Sequence, residues 1–198
     1  MSGEVVLVDE QDVADLATFL GRARRVEATA VRLQATGSVL AVTVCPLPGH
    51  GLMGEGTVLG LRAFTLAQSA TCDVVGAVEA VQDRLARMRT TRDLRLSMPP
   101  VPVVEAWAGL SAPRSGWERV GVLTADVVDE VTRRGVAAAS APGANREQVW
   151  GVPIPGTSLP GGAAFALDAL GFSAPELTVF AQGRWHRISG PAGHVLTR

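Results

Sequence analysis

The chain has no lysine and no tyrosine among its 198 residues, so all 18 of its Lys/Arg positions are arginine. The missing amine removes Schiff-base formation, a lysine nucleophile and the phosphate-binding lysine of a P-loop. The missing phenol removes a tyrosine acid or base. Cysteine is scarce: Cys45 and Cys72 make neither a disulfide framework nor a zinc cluster, and read as two buried, reduced thiols. Aromatic rings are few, five Phe and four Trp, so stacking platforms for single-stranded nucleic acid are poorly supplied. No apolar run reaches the ~20 residues that cross a bilayer. Residues Met1 to Glu10 lack a basic stretch followed by an apolar one, so no signal peptide is expected. Net charge is −1, which gives no global field to attract nucleic acid or an anionic membrane. A cytoplasmic protein without membrane contact is the expectation.

With 47% hydrophobic and 19% charged residues, the chain can bury a substantial core. A strand at Val5 to Val8 leads to Asp9, a good N-cap, and to a helix whose stripe is Val13, Leu16, Ala17, Leu20 and Ala23. Arg22, Arg24 and Arg25 suit its C-terminal dipole. Residues 26–67 read as sheet. Val26 to Leu33 and Val39 to Cys45 flank Thr36-Gly37-Ser38, a hairpin signal, and a third run covers Thr57 to Leu66. A second helix is expected from Thr71 or Asp73, with Val74, Val78, Val81, Leu85 and Met88 on one face.

Three prolines at 99, 100 and 102 read as a stiff linker, so the expected division is 1–98, linker 99–102, and 103–198. Beyond it, Val103 to Trp107 reads as a short helix. Thr124 begins a helix carrying Val127, Val128 and Val131, with Gly135 as its left-handed stop. Ala163 to Leu170 is a short apolar helix ended by Gly171. The stretch from Leu177 to Thr197 reads as a small β-unit with turns at Gln182-Gly183 and Gly190-Pro191. Trp107, Trp117, Trp150 and Trp185 all lie past the prolines, and several of them are expected to cluster as a core.

The fold class expected is α+β: an antiparallel sheet with packed helices, then a smaller helical segment and a C-terminal β-hairpin of winged-helix type. Gly49-His50-Gly51-Leu52-Met53-Gly54 fits G-x-G-x-x-G in letters only. Pro46 and Pro48 separate it from the preceding strand, and a strand-like run rather than a helix follows. The 49–56 loop has a better reading as a contact for a ligand or partner, through His50, the apolar tip Leu52-Met53 and Glu55. His50 and Glu55 also make a potential acid–base pair, but no nucleophile or third group accompanies them. Neither Cys45 with His50 nor His186 with His194 completes a metal set, and Gly109 to Pro113 breaks the nucleophile-elbow pattern. No catalytic residue, metal or cofactor is expected.

From Leu177 to Arg198 the chain has no acidic residue, while Arg184, His186, Arg187 and Arg198 make it basic. A basic hairpin after short helices is what a winged helix offers to phosphates. Three such contacts alone give weak, salt-sensitive binding.

Ser115-Gly116-Trp117-Glu118, Gly162 to Phe165, Gly183 to Ser189 and Gly193-His194-Val195-Leu196 together resemble conserved proteins of high-GC actinobacteria over the C-terminal half. The resemblance carries no activity and implies no catalytic residue. It agrees with the arginine-for-lysine bias of GC-rich codons. The function expected is a non-catalytic interaction protein acting by self-association, as a homodimer, or through a protein partner. The alternatives are nucleic-acid binding by the C-terminal hairpin and a small-molecule site or enzyme at the 49–56 loop.

Overall fold

The computed structural model describes residues 3–51 and 53–198. The chain divides into two compact units, Met1–Cys45 with Leu61–Gly109, and Pro46–Gly60 with Leu110–Arg198.

In the first unit, β1 (Glu4–Val6) pairs antiparallel with β4 (Arg95–Ser97), and α1 (Glu10–Arg25) packs on α2 (Val78–Thr91). The Asp9 side chain accepts from the Asp12 amide at 2.8 Å, which fixes where α1 begins. Val13, Leu16, Phe19, Leu20 and Ala23 are its buried stripe. Val78, Val81, Leu85 and Met88 are that of α2. Two long strands, β2 (Ala30–Leu47) and β3 (Val58–Ala77), contribute residues to both units.

The long strands correct two expectations. Thr36-Gly37-Ser38 is not a hairpin turn, because β2 runs through it. Gly37 takes φ +62°, and the buried positions change from 31, 33 and 35 to 40, 42 and 44. That switch of parity across a left-handed glycine is a β-bulge, which needs the same residue as a turn. The second helix starts at Val78 rather than near Asp73. Asp73 instead joins two long-range partners on β2. It accepts from Arg32 Nε and Nη2 at 2.8 and 2.7 Å and from Gln34 Nε2 at 3.0 Å. Cross-strand pairing keeps residues 71–77 extended. The prolines after β4 lie on this unit: a Cβ on Gly76 would meet Pro99 at 2.7 Å, and the Val103 amide donates to Val75 O.

In the second unit, β5 (Glu118–Thr124), β6 (Glu176–Gln182), β7 (Trp185–Gly190) and β8 (Gly193–Thr197) pair in sequence order, each antiparallel to the next. The start of β3 lies beside β8, so β5 is the edge at the other end. Three helices follow the first of these strands in the chain: α3 (Ala125–Ala139), α4 (Arg146–Gly151) and α5 (Gly161–Leu170). Gly171 ends α5 at φ +71°.

The winged-helix expectation does not hold. The C-terminal strands belong to an antiparallel sheet with β5, and α5, the helix that would read DNA, is buried against β8 and α3. Gly135 is not a helix stop either, since α3 continues to Ala139. A Cβ at Gly135 would overlap the Trp150 ring, so the glycine lets the indole lie on the helix backbone. Trp150 stacks on Phe165 at 4.6 Å between centroids. Trp107 is buried in the first unit, while Trp117, Trp150 and Trp185 belong to the second.

Candidate functional site

The 49–56 loop closes on itself. The His50 and Glu55 amides and carbonyls exchange two hydrogen bonds, 2.9 and 3.0 Å. Gly51, Gly54 and Gly56 take positive φ, and a Cβ on Gly49 would meet Glu55 O at 2.6 Å. The glycines thus serve a tight turn, and the next element is strand β3 rather than a helix whose N-terminus would hold phosphate. Met53 stands exposed at the tip, and Leu52 lies outside the described residues.

The loop does bring His50 and Glu55 together, and adds a third group. His50 Nε2 lies 3.9 Å from Glu55 Oε2, and His50 Nδ1 lies 2.8 Å from Glu147 Oε1. Glu147 comes from the first turn of α4, which Asn145 caps by accepting from the Glu147 and Gln148 amides. Sequence reading missed Glu147, since nothing local to it points at a loop almost a hundred residues earlier. All three side chains are more than half exposed. Open to solvent, such a cluster ties a loop to a helix but excludes no water from a reaction. Among the described residues no three His, Cys, Asp or Glu side chains are placed to hold a metal ion.

The basic C-terminal residues are distributed over a sheet rather than along a wing. Arg184 is exposed at the β6–β7 turn. His186 Nε2 lies 3.3 Å from Ser158 Oγ. The Arg187 guanidinium sits between two rings, 4.9 Å from Trp117 and 4.6 Å from Phe180, and its Nε is buried without an acceptor. Burial lowers its affinity for the proton. Arg198 lies over Trp185 at 5.7 Å. Beside them His194 Nδ1 is 2.9 Å from Ser189 Oγ, and burial together with the Arg187 charge holds the imidazole pKa below its usual value. Arg187 is therefore an aromatic-stacked cation, which leaves Arg184 as the freely exposed member of the predicted set.

The other exposed feature of this unit is the edge strand. β5 pairs with β6 on one side, with a bulge between Arg119 and Gly121. Val120 is 57% and Val122 39% exposed on it. An unpaired strand carrying exposed valines is a template for another strand.

Residues 1–109 match the Domain of unknown function DUF8010 and residues 112–198 the Domain of unknown function DUF8185. The first match covers more than half of the 198 residues. The chain belongs to the DUF8010 family. No curated protein matches it in sequence. Among solved structures, a putative DNA polymerase III β subunit from Eubacterium rectale superposes with TM-score 0.60 at 8% identity, covering 98% of this chain and 64% of that one. The DNA polymerase sliding clamp of Caulobacter crescentus gives 0.59 at 10% identity, over 100% of this chain and 65% of that one. A sliding clamp from Bartonella birtlesii, bound to griselimycin, gives 0.59 at 10%, over 100% and 64%. This DUF8010 member has the sliding-clamp fold and spans just under two thirds of the length of those chains.

Proposed function

We propose that this chain is a non-catalytic, clamp-like interaction protein that associates with a second copy of itself through the β5 edge. The observation that carries the reading is that edge: a seven-residue strand paired on one side only, with Val120 and Val122 exposed, on a sliding-clamp fold. Antiparallel pairing of β5 with its copy makes a two-fold, self-complementary contact. It satisfies backbone groups that otherwise face water and covers both valines. The Met53 loop tip supplies a second exposed apolar point for a protein partner. The setting we propose, on the arginine-rich composition and the C-terminal motifs, is the cytoplasm of a high-GC actinobacterium.

Sedimentation velocity across a hundredfold concentration range tests this reading. We expect a monomer–dimer equilibrium in the wild type and a monomer in Val120→Lys/Val122→Lys, since charged residues on an edge oppose strand addition. An unchanged dimer in that variant would move the interface elsewhere. A second reading, DNA binding, draws support from the polymerase-clamp neighbours and from exposed Arg184. Its signature is salt-sensitive duplex binding weakened by Arg184→Ala.

A further inference from the structure

The second unit contains a cavity of about 400 Å³ between α3, α4 and the start of α5. Its walls are Val131, Val149, Trp150, Val152 and Pro153. The only side chains with formal charge or an amide among those lining it are Arg134 and Gln148. A cavity of this size, apolar with a few polar groups, has the character of a small-molecule site.

Three features make it a built site rather than a packing fault. The Trp150 wall is held from two sides, by Phe165 stacked on it and by the bare backbone of Gly135 beneath it. The start of α5 packs closely on the other walls, since a Cβ on Gly161 would come within 3.1 Å of Val152 O and 3.5 Å of Val131 Cγ1. The Trp150 Nε1 donor is buried and meets no acceptor, which in a folded protein calls for a reason.

The charge beside the cavity has a definite sign. On α3 the Glu130 carboxylate is shared by two guanidiniums: it accepts from Arg133 at 2.6 and 3.1 Å and is paired with Arg134 Nε. Of these three, Arg134 alone lines the cavity, and no acidic side chain lines it. A cationic ligand meets repulsion there. A neutral apolar ligand gains burial alone. An anionic amphiphile gains burial and a charge-assisted contact with Arg134.

We propose that this cavity binds an apolar molecule carrying one anionic head, an acyl or aryl carboxylate, with its apolar body against Trp150 and Val131 and its carboxylate toward Arg134. The site is independent of the β5 edge, so loss of self-association leaves it standing. It also differs from the 49–56 loop, to which it is linked through α4 by the His50–Glu147 contact.

The test is an NMR titration of the ¹⁵N-labelled chain with octanoate, octan-1-ol and octyltrimethylammonium, followed at the Trp150 indole N–H and assigned with Trp150→Phe. Octanoate should shift that signal saturably, octanol should bind roughly tenfold more weakly, the contribution of one charge-assisted hydrogen bond, and the ammonium should leave it still. Arg134→Gln should reduce octanoate to the affinity of octanol. Ala138→Trp, placed on the exposed rim of α3, should abolish binding of octanoate and octanol alike. Val152→Asp, at a position 61% exposed and tolerant of change, should repel octanoate alone. A Trp150 signal that ignores octanoate, equal responses to all three probes, or undiminished octanoate binding in Val152→Asp would each overturn the proposal.

Discussion

The first unit and the C-terminal sheet of the second hold their arginines by different means. In the first, cations meet carboxylates: Arg24 with Glu79 at 2.6 Å, Arg32 with Asp73 at 2.7 Å, and Arg62 with Asp15. In the C-terminal sheet of the second, where no acidic residue occurs from Leu177 onward, Arg187 lies between Trp117 and Phe180, and Arg198 lies on Trp185. The helices differ in the same sense. α1 is capped by a side chain and buries Phe19 and three leucine or valine side chains along one stripe. α5 begins at Pro160 without a side-chain cap and opens with Gly161 and Gly162, which bring its backbone close to its neighbours, before burying Leu167 and Leu170. A unit held by ion pairs and large side chains responds to salt and truncation. A sheet and helix cluster where rings lie against glycine backbone and guanidiniums responds to changes of shape.

The largest effect that would sharpen this contrast is in the second unit. Trp150→Ala should cost about 3–5 kcal/mol in chemical denaturation, because it empties the space over Gly135 and beside Phe165. A cost below ~1 kcal/mol would mean the α3–α4–α5 cluster is not organised by that ring. Next is Arg187→Ala, expected to lose about 2 kcal/mol from its two partly desolvated ring contacts. That loss should be nearly the same in 0.1 M and 1 M salt, because no carboxylate is involved. Arg32→Ala in the first unit should cost about 1 kcal/mol, and part of that should vanish in 1 M salt, since Asp73 is half exposed. If the salt dependences of the two variants were the reverse, the comparison would fail.

His194 adds a pH dependence confined to the second unit. Its folded pKa is depressed by burial and by Arg187, so the unfolded chain binds the proton more readily. Stability is therefore full above the unfolded value of about 6.5, and falls as pH drops below it toward the folded pKa. His194→Asn should flatten the stability profile between about pH 7 and 5. A wild-type slope retained in the variant would assign it to other groups. The smallest change, Gly37→Ala, should cost about 1 kcal/mol through left-handed strain alone, because nothing lies within 4 Å of the Cβ position.

Much of the local architecture was legible because its signals are local. Asp9 caps α1, Val13, Leu16, Leu20 and Ala23 of α1 and Val78, Val81, Leu85 and Met88 of α2 form the buried stripes as their spacing predicts, with Phe19 in place of Ala17, and Gly171 ends α5 where the pattern breaks. The three C-terminal strands likewise follow their turn residues. What misled was glycine and valine whose role is set by distant chain. Gly37 suits a bulge as well as a turn. Gly135 looks like a C-cap until the Trp150 ring, fifteen residues on, occupies the space of its missing side chain. Val74 to Val78 fits a helical step, but Arg32 and Gln34 hold Asp73 in a strand. The site was legible only by half. His50 and Glu55 adjoin in sequence and in space, whereas Glu147, the cavity on α3 and the one-sided pairing of β5 depend on which segments meet. Arg187 read as a phosphate contact because nothing in its own hairpin announces the Trp117 ring laid over it.

The measurement that reaches the proposed function most directly is hydrogen–deuterium exchange at the β5 backbone as a function of protein concentration. Pairing with a second copy predicts that amides in Glu118–Thr124 facing away from β6 gain protection as concentration rises, and that Val120→Lys/Val122→Lys abolishes the gain. Exchange at those amides that stays fast and unchanged from the lowest to the highest concentration would contradict self-association through this edge.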